Sequence, residues 1–240
     1  MKQAKTVTSH LQIAEDLITK IRLGEYQANE KIPSEHTLCQ KYQVPRHMVR
    51  QAIARLTNLG WVTPVQGKGS YIKQKPKPIP YILSAETSYS NNMQEQGIDH
   101  TSKLIDWEIT NPNQEEKSKL KLGNGEKVYR LEIVRFARKQ PMSITTTTLP
   151  KVEFPNLEKH FIHFKSLYRI FLDHYQLQPV RSMTKFQAIL PLLSDAEMLG
   201  IPENIPIIQM ESMVNHPNGV PIEYNISRIR GDMHQCVVEF

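Results

Sequence analysis

The sequence predicts an α+β chain in two parts. A small N-terminal helical unit closed by a β-hairpin comes first, and a larger unit of antiparallel sheet with interspersed helices follows. Three observations carry this reading. Residues 32–72 string together a helix start, a turn, an amphipathic helix, a glycine stop and a hairpin. Residues 73–80, KQKPKPIP, set prolines at alternate positions, which favours extended chain and opposes helix. Beyond them, β-rich runs alternate with turn signals and short amphipathic stretches. The charge divides at the same place. Residues 1–78 hold 13 Lys/Arg and 5 Asp/Glu, a net +8, whereas residues 79–240 hold 17 and 19, a net −2. The excess positive charge therefore points to a polyanionic partner for the first part only.

In the first part, Leu11, Ala14, Leu17, Ile18 and Ile21 recur at helical spacing and Gly24 stops the run. Ser34 caps a short second helix through Leu38 and Tyr42. Pro45 suits the first turn of a third helix, with Val49, Ala52, Ile53 and Leu56 as its apolar stripe and Gly60 as its stop. Residues 61–63 and 70–72 read as strands around the tip Gly67-Lys68-Gly69. The expected division is a first domain at 1–73, a linker at 74–81 and a second domain at 82–240. In that second domain, 126–137 and 140–149 read as strands joined by a tight turn at Arg138-Lys139. Further strands are expected at 183–190, 206–215 and 220–230, the last two flanking the turn His216-Pro217-Asn218-Gly219. Helices are expected at 89–97, 112–121, 165–176 and 194–200.

The rest of the composition narrows the class. Cys39 and Cys236 stand alone at opposite ends, which fits a reduced, cytoplasmic setting and no metal pair. No long apolar run or signal core occurs, so no membrane partner is expected. His160, His163 and His174 read as polar surface residues on helices, and His234 with Cys236 as two residues of one strand face. No metal and no cofactor are expected. No nucleophile-elbow, P-loop or zinc-protease motif appears, which argues against an enzyme.

A helix that enters a DNA groove needs one face to hold it and another to read. The third helix has both. Arg46, His47, Arg50 and Gln51 stand near its start, away from the apolar stripe, where an arginine fork can take guanine O6 and N7. Lys68 between two glycines suits a wing tip that approaches a backbone or minor groove.

These residues, I-P-S-E at 32–35, V-P-R-H-M-V-R-Q-A-I-x-x-L-x-x-x-G-W-V at 44–62 and Q-G-K-G-S-Y-I at 66–72, resemble the winged helix-turn-helix of GntR-type bacterial regulators. The remainder resembles the UTRA effector domain of the HutC subfamily, an α+β, chorismate-lyase-like antiparallel-sheet domain. Its marks are Leu122-Gly123 with Gly125-Glu126, Leu149-Pro150, Ser166-Leu167-Tyr168, Pro221-Ile222-Glu223-Tyr224 and Arg230-Gly231-Asp232. The resemblance implies that Arg46, Arg50, Gly67 and Gly69 meet DNA. His36 stands where the family usually has Arg, and is an expected phosphate contact.

For the second domain, residues 88–91 and Ser166-Leu167-Tyr168 stand at the starts of expected helices, and helix starts with Ser hydroxyls bind anions or simply cap. Arg135, on an apolar strand, would add a bidentate donor. The resemblance implies that Ser90, Arg135, Ser166, Tyr168 and Glu223 line an effector pocket. Ser88, Tyr89, Arg181, Thr184 and Tyr224 complete the expected set. Ile133 stands where many members carry a second Arg. Arg46-His47, Gly60-Trp61-Val62, Asn215-His216 with Gly219, and Arg181-Ser182-Met183-Thr184 look most like regulators of phosphonate utilisation. The implied protein is a homodimeric repressor. Its partners are palindromic double-stranded operator DNA and a small anionic effector, whether a phosphonate, a phosphate ester or a carboxylate. Regulation of sugar-phosphate, amino-sugar or carboxylate catabolism is the alternative, and a lyase-like enzyme with the same pocket is an alternative of another class.

Overall fold

The computed structural model describes residues 9–74, 77–86 and 88–238. It divides into two compact units, residues 1–76 and 77–240.

The first unit opens with α1, His10–Arg22, capped by Ser9 in a reciprocal box with Gln12. Ser34 caps α2, Glu35–Tyr42, accepting from the Thr37 amide at 3.1 Å. Helix α3 is Arg46–Asn58, with Pro45 one position outside it as the N-cap. Gly60, at φ +69°, ends it, and the Trp61 amide reaches back to the Leu56 carbonyl at 2.9 Å. Strands β1 (Val62–Val65) and β2 (Gly69–Ile72) form the hairpin. Ile13, Ala14, Leu17, Leu38, Val49, Ala52 and Leu56 are fully buried in a shared core. Each larger side chain buried this way is worth roughly 1.5–3 kcal/mol. Leu11 is 42% exposed, so the α1 stripe runs through Ile13 rather than the expected Leu11.

The second unit begins in part of the segment expected to be linker. Residues 75–76 lie outside the described residues, but Ile79–Ile82 forms strand β3 and pairs in parallel with β10, His234–Val237. The residues at 79–81 are therefore part of the second unit's framework, because the backbone groups that proline leaves available pair with a partner strand. Between them run α4 (Tyr89–Glu95), β4 (His100–Thr110), α5 (Gln114–Lys119), β5 (Val128–Ala137), β6 (Gln140–Pro150), α6 (Leu167–Tyr175), β7 (Val180–Ile189), α7 (Leu193–Leu199), β8 (Ile207–Asn215) and β9 (Pro221–Arg230). The six longer strands form one antiparallel sheet in the order β4-β5-β6-β9-β8-β7. Arg138 and Lys139, both at positive φ, turn β5 into β6.

Side chains alternate across this sheet. Leu131 and Ile133 on β5 face α6 in a core with Phe154, Phe161, Leu167 and Phe171. Val134 packs on the other face with Ile144, Ala196 and Leu199, under α7. That second face also carries ion pairs, among them Glu116 with Arg130 at 2.8 Å and Arg228 with Asp195 at 3.0 Å. Among the described residues, no helix is long and apolar enough to cross a membrane.

Candidate functional site

Helix α3 turns Val49, Ala52 and Leu56 inward with Ile53 packed beside them, and its polar residues near the start point outward. Arg46, His47, Arg50 and Gln51 are all exposed, the two arginine side chains by 67% and 60%. Residues i and i+4 lie on one helical face, which puts the two guanidinia side by side. Glu35, the first residue of α2, sits between them. Its Oε2 accepts from Arg46 Nε at 2.6 Å and from Arg50 Nε at 3.1 Å. The arginine hydrogen bonds hold the Glu35 carboxyl below the ordinary Glu range, Arg46 first, against a smaller opposing effect of burial. In sequence, Glu35 enters only as part of the I-P-S-E stretch. An acidic first-turn residue preceding a helix with two arginines one turn apart was the available signal. His36 is exposed, with its Nε2 3.1 Å from the Gln40 side-chain amide. Lys68 is exposed at the hairpin tip between Gly67 (φ +72°) and Gly69 (φ +102°). A side chain on Gly69 would also meet the Lys31 side chain at 2.7 Å.

In the second unit, one cavity opens between the sheet face that carries Ile133 and helices α4 and α6. The space between its walls is ≈ 810 Å³, part of it open to solvent. Of the expected effector residues, Ser88, Tyr89, Ser90, Arg135, Ser166, Tyr168, Arg181 and Glu223 line it. Ser88 and Ser166 are also helix caps, accepting from the Asn91 and Arg169 amides at 3.2 and 3.4 Å. Arg135 donates to Thr145, whose hydroxyl lies 2.8 Å from that of Ser227, and its guanidinium stands 5.6 Å over the Tyr89 ring.

Two expected residues are placed elsewhere. Tyr224 follows Glu223 on a strand and so faces the other side of the sheet. There it packs with Leu120 and Met213 and donates to Glu115 at 3.0 Å. Thr184 pairs with Ser212 at 3.1 Å; Ser212 lines the cavity and Thr184 does not. Conversely, Tyr81, Ser143, Thr145, Ser212, Asn225, Ser227 and His234 join the wall without having been expected. Ser143, Thr145, Ser212, Asn225 and Ser227 are brought together only by the pairing of β6, β8 and β9, and Tyr81 and His234 by that of β3 with β10.

Burial dominates the electrostatics of this cavity. Glu223 is 2% exposed, and burial raises its carboxyl above the usual range, opposed by Asn225, Tyr168 and the charges of Arg135 and Arg181. Burial also raises the Tyr168 hydroxyl, helped by Glu223, and raises Tyr89 against the pull of Arg135. The Arg181 pKa stays high although burial opposes it, because Tyr81, Tyr168 and Glu223 surround it. Its Nη1 donates to the Ser84 carbonyl at 3.2 Å. Burial lowers His234 to about 4 and leaves it neutral at pH 7. Buried polar atoms ordinarily find partners. Yet Tyr89 Oη, Arg181 Nε, Glu223 Oε2 and His234 Nε2 have none within the protein, and all four residues line this cavity. Such a wall suits a small polar ligand that supplies both acceptors and donors.

Among the described residues, no group of three or more His, Cys, Asp or Glu could hold an ion. The expectation of surface histidines on helices needs amending. His160, in a 3₁₀ turn (Leu157–His160), stacks on His174 of α6 with ring centres 3.8 Å apart, while His163 lies in a turn.

Comparison with known proteins agrees with this two-part geometry. Residues 10–72 match the family model "Bacterial regulatory proteins, gntR family", and residues 95–235, more than half of the chain, match the UTRA domain. The HTH-type transcriptional repressor NagR of Bacillus subtilis is 28% identical over 95% of this chain and 93% of its own. The probable transcriptional regulator PhnF of Escherichia coli is 26% identical over 97% and 95%. The crystal structure of PhnF from Mycobacterium smegmatis superposes with a TM-score of 0.64 at 24% identity, covering 95% of this chain and 98% of that one.

Proposed function

The chain belongs to the gntR family of bacterial regulatory proteins, in the HutC-type group with a UTRA domain, and is a DNA-binding transcriptional regulator rather than an enzyme; we propose that it represses genes for uptake or use of a phosphonate, released by a small anionic effector. The observation that carries the effector half is the cavity wall, where Arg135 and Arg181 both stand and four buried polar atoms, Arg181 Nε among them, lack protein partners. The phosphonate assignment is supported by the likeness to PhnF and by the stretch 181–184.

Arg46, Arg50, His47 and Gln51 read bases, while His36 and Lys68 meet the backbone. Two copies present two α3 helices to a palindrome with half-site centres ~10 bp apart. Exposed Phe186, Leu190, Leu192 and Leu193, on and just after the edge strand β7, support pairing through the second unit. Effector and DNA then weaken each other's binding by one common factor, typically ~1–3 kcal/mol of coupling.

The test is a thermal-shift screen of the full chain against alkylphosphonates, inorganic phosphate, sugar phosphates and carboxylates, since a ligand of the folded state raises the melting temperature. The largest shift should come from a phosphonate. A sugar phosphate or carboxylate in that place would reassign the target genes. Arg135→Ala should then bind the best ligand about 10- to 100-fold more weakly, as expected for losing charge-assisted hydrogen bonds, and still bind DNA. Unchanged ligand affinity, read by calorimetry, would remove Arg135 from the effector site.

A further inference from the structure

Glu35 is a carboxylate placed in the middle of the basic surface that faces DNA, where a negative charge opposes phosphate binding. Its geometry accounts for its presence there. It lies on α2, whereas its partners Arg46 and Arg50 are one turn apart on α3. The hydrogen bonds described for the two arginine side chains all run from Nε to this carboxylate, at 2.6 Å from Arg46 and at 3.1 and 3.4 Å from Arg50. A guanidinium carries five N–H donors, and anchoring Nε leaves the Nη pair pointing onward. That pair can make two parallel bonds to guanine O6 and N7. Both side chains remain well exposed, and the cluster of two cations and one anion keeps a net positive charge.

We propose that Glu35 is a positioning residue for sequence readout: it tethers Arg46 and Arg50 through Nε, aims their Nη forks outward as one unit, and sacrifices some non-specific affinity for discrimination. This rests on the reading that Arg46 and Arg50 contact bases. The advantage is entropic. A free arginine must surrender its rotamer freedom on binding, on the order of tenfold in affinity per side chain. A tethered one has already lost most of it. An exposed ion pair of this kind contributes little to folding, so the tether and the stability of the helix are separable by experiment.

The experiment uses the full chain, a duplex selected by the wild-type protein from a random-sequence pool, and a scrambled duplex of equal length. Glu35→Gln should weaken binding to the selected duplex by about tenfold for each arginine it releases, up to about a hundredfold for both. Binding to the scrambled duplex should stay the same or tighten, and the melting temperature should be nearly unchanged. Base substitutions in the selected site should also be discriminated less sharply. In an Arg46→Ala/Arg50→Ala background, adding Glu35→Gln should cost nothing further, because there is nothing left to aim. A structural role for Glu35 would persist in that background. If Glu35→Gln moves both duplexes equally, or costs as much in the double-alanine background, the positioning role is overturned. If the two alanine substitutions alone leave selective binding intact, the base-reading assignment of the arginines fails, and Glu35 has nothing to position.

Discussion

Replacing Glu116 with Ala should cost about 3 kcal/mol of the second unit's stability, and the figure follows from what the carboxylate holds. Glu116 is 4% exposed and lies on the sheet face opposite the cavity. It accepts from Arg130 Nε at 3.1 Å, Arg130 Nη2 at 2.8 Å, Thr148 Oγ1 at 2.9 Å and the Asn113 amide at 2.8 Å. It thus fastens α5 to β5 and β6. Breaking a buried pair by removing one partner costs about 3–5 kcal/mol. Here the lower end applies, because Arg130 is partly solvated and keeps Glu108 at 2.6 Å. For a unit of this size that loss lowers the melting temperature by about 6–12 °C. The pH dependence is a second check. Burial pushes the Glu116 carboxyl up, but Arg130, the Asn113 amide and Thr148 together pull it below the usual Glu value. The unfolded chain therefore takes up this proton first on acidification. The stabilisation is complete above pH about 4.3 and fades as pH falls through the lower folded value. Urea melts of wild type and Glu116→Ala from pH 7 to 3 should show a constant gap down to about pH 5 that narrows below about pH 4. A gap under about 1 kcal/mol at pH 7, smaller than a single charge-assisted hydrogen bond, would refute this account of the network.

Two further outcomes are expected. Gly231→Ala would drive a Cβ to 2.6 Å from the Pro206 carbonyl oxygen; overpacking against backbone costs about 1–3 kcal/mol, and a melting temperature equal to wild type would show that the chain yields there freely. His234 titrates at about 4 when folded because it is buried, against about 6.5 when unfolded. The unfolded chain binds more protons between these values, so wild-type stability should decline from pH 6.5 to 4. His234→Asn should show a shallower decline, and equal slopes would mean that the buried imidazole is not the group titrating.

The first unit was largely legible because local signals and tertiary packing agree there. The cap at Ser34, the stripe Val49-Ala52-Leu56 and the stop at Gly60 each act within one or two turns. The second unit was legible where a strand buries one face, as at β5, β6, β8 and β9. It was opaque at β4, an edge strand whose residues are mostly exposed and so carry no apolar alternation. It was opaque too at β3 and β10, whose pairing joins residues about 155 positions apart, beyond any window of local pattern. Among candidate site residues, Arg135 stood out as a charge on an apolar strand, whereas Glu223 was reached only through the family resemblance. Ser143, Thr145 and Ser227 did not stand out, because a strand serine becomes informative only once its neighbours across the sheet are known. Tyr224 shows the same limit. Adjacent to Glu223 in sequence, it lies across the sheet from it in space.

That two-sidedness has a consequence for how such a regulator can diversify. Along β5, β6 and β9 the polar side chains that line the cavity alternate with those of the ion-pair network on the opposite face. Exchanging the small polar side chains of the cavity face would change what the cavity can hold while leaving those ion pairs in place.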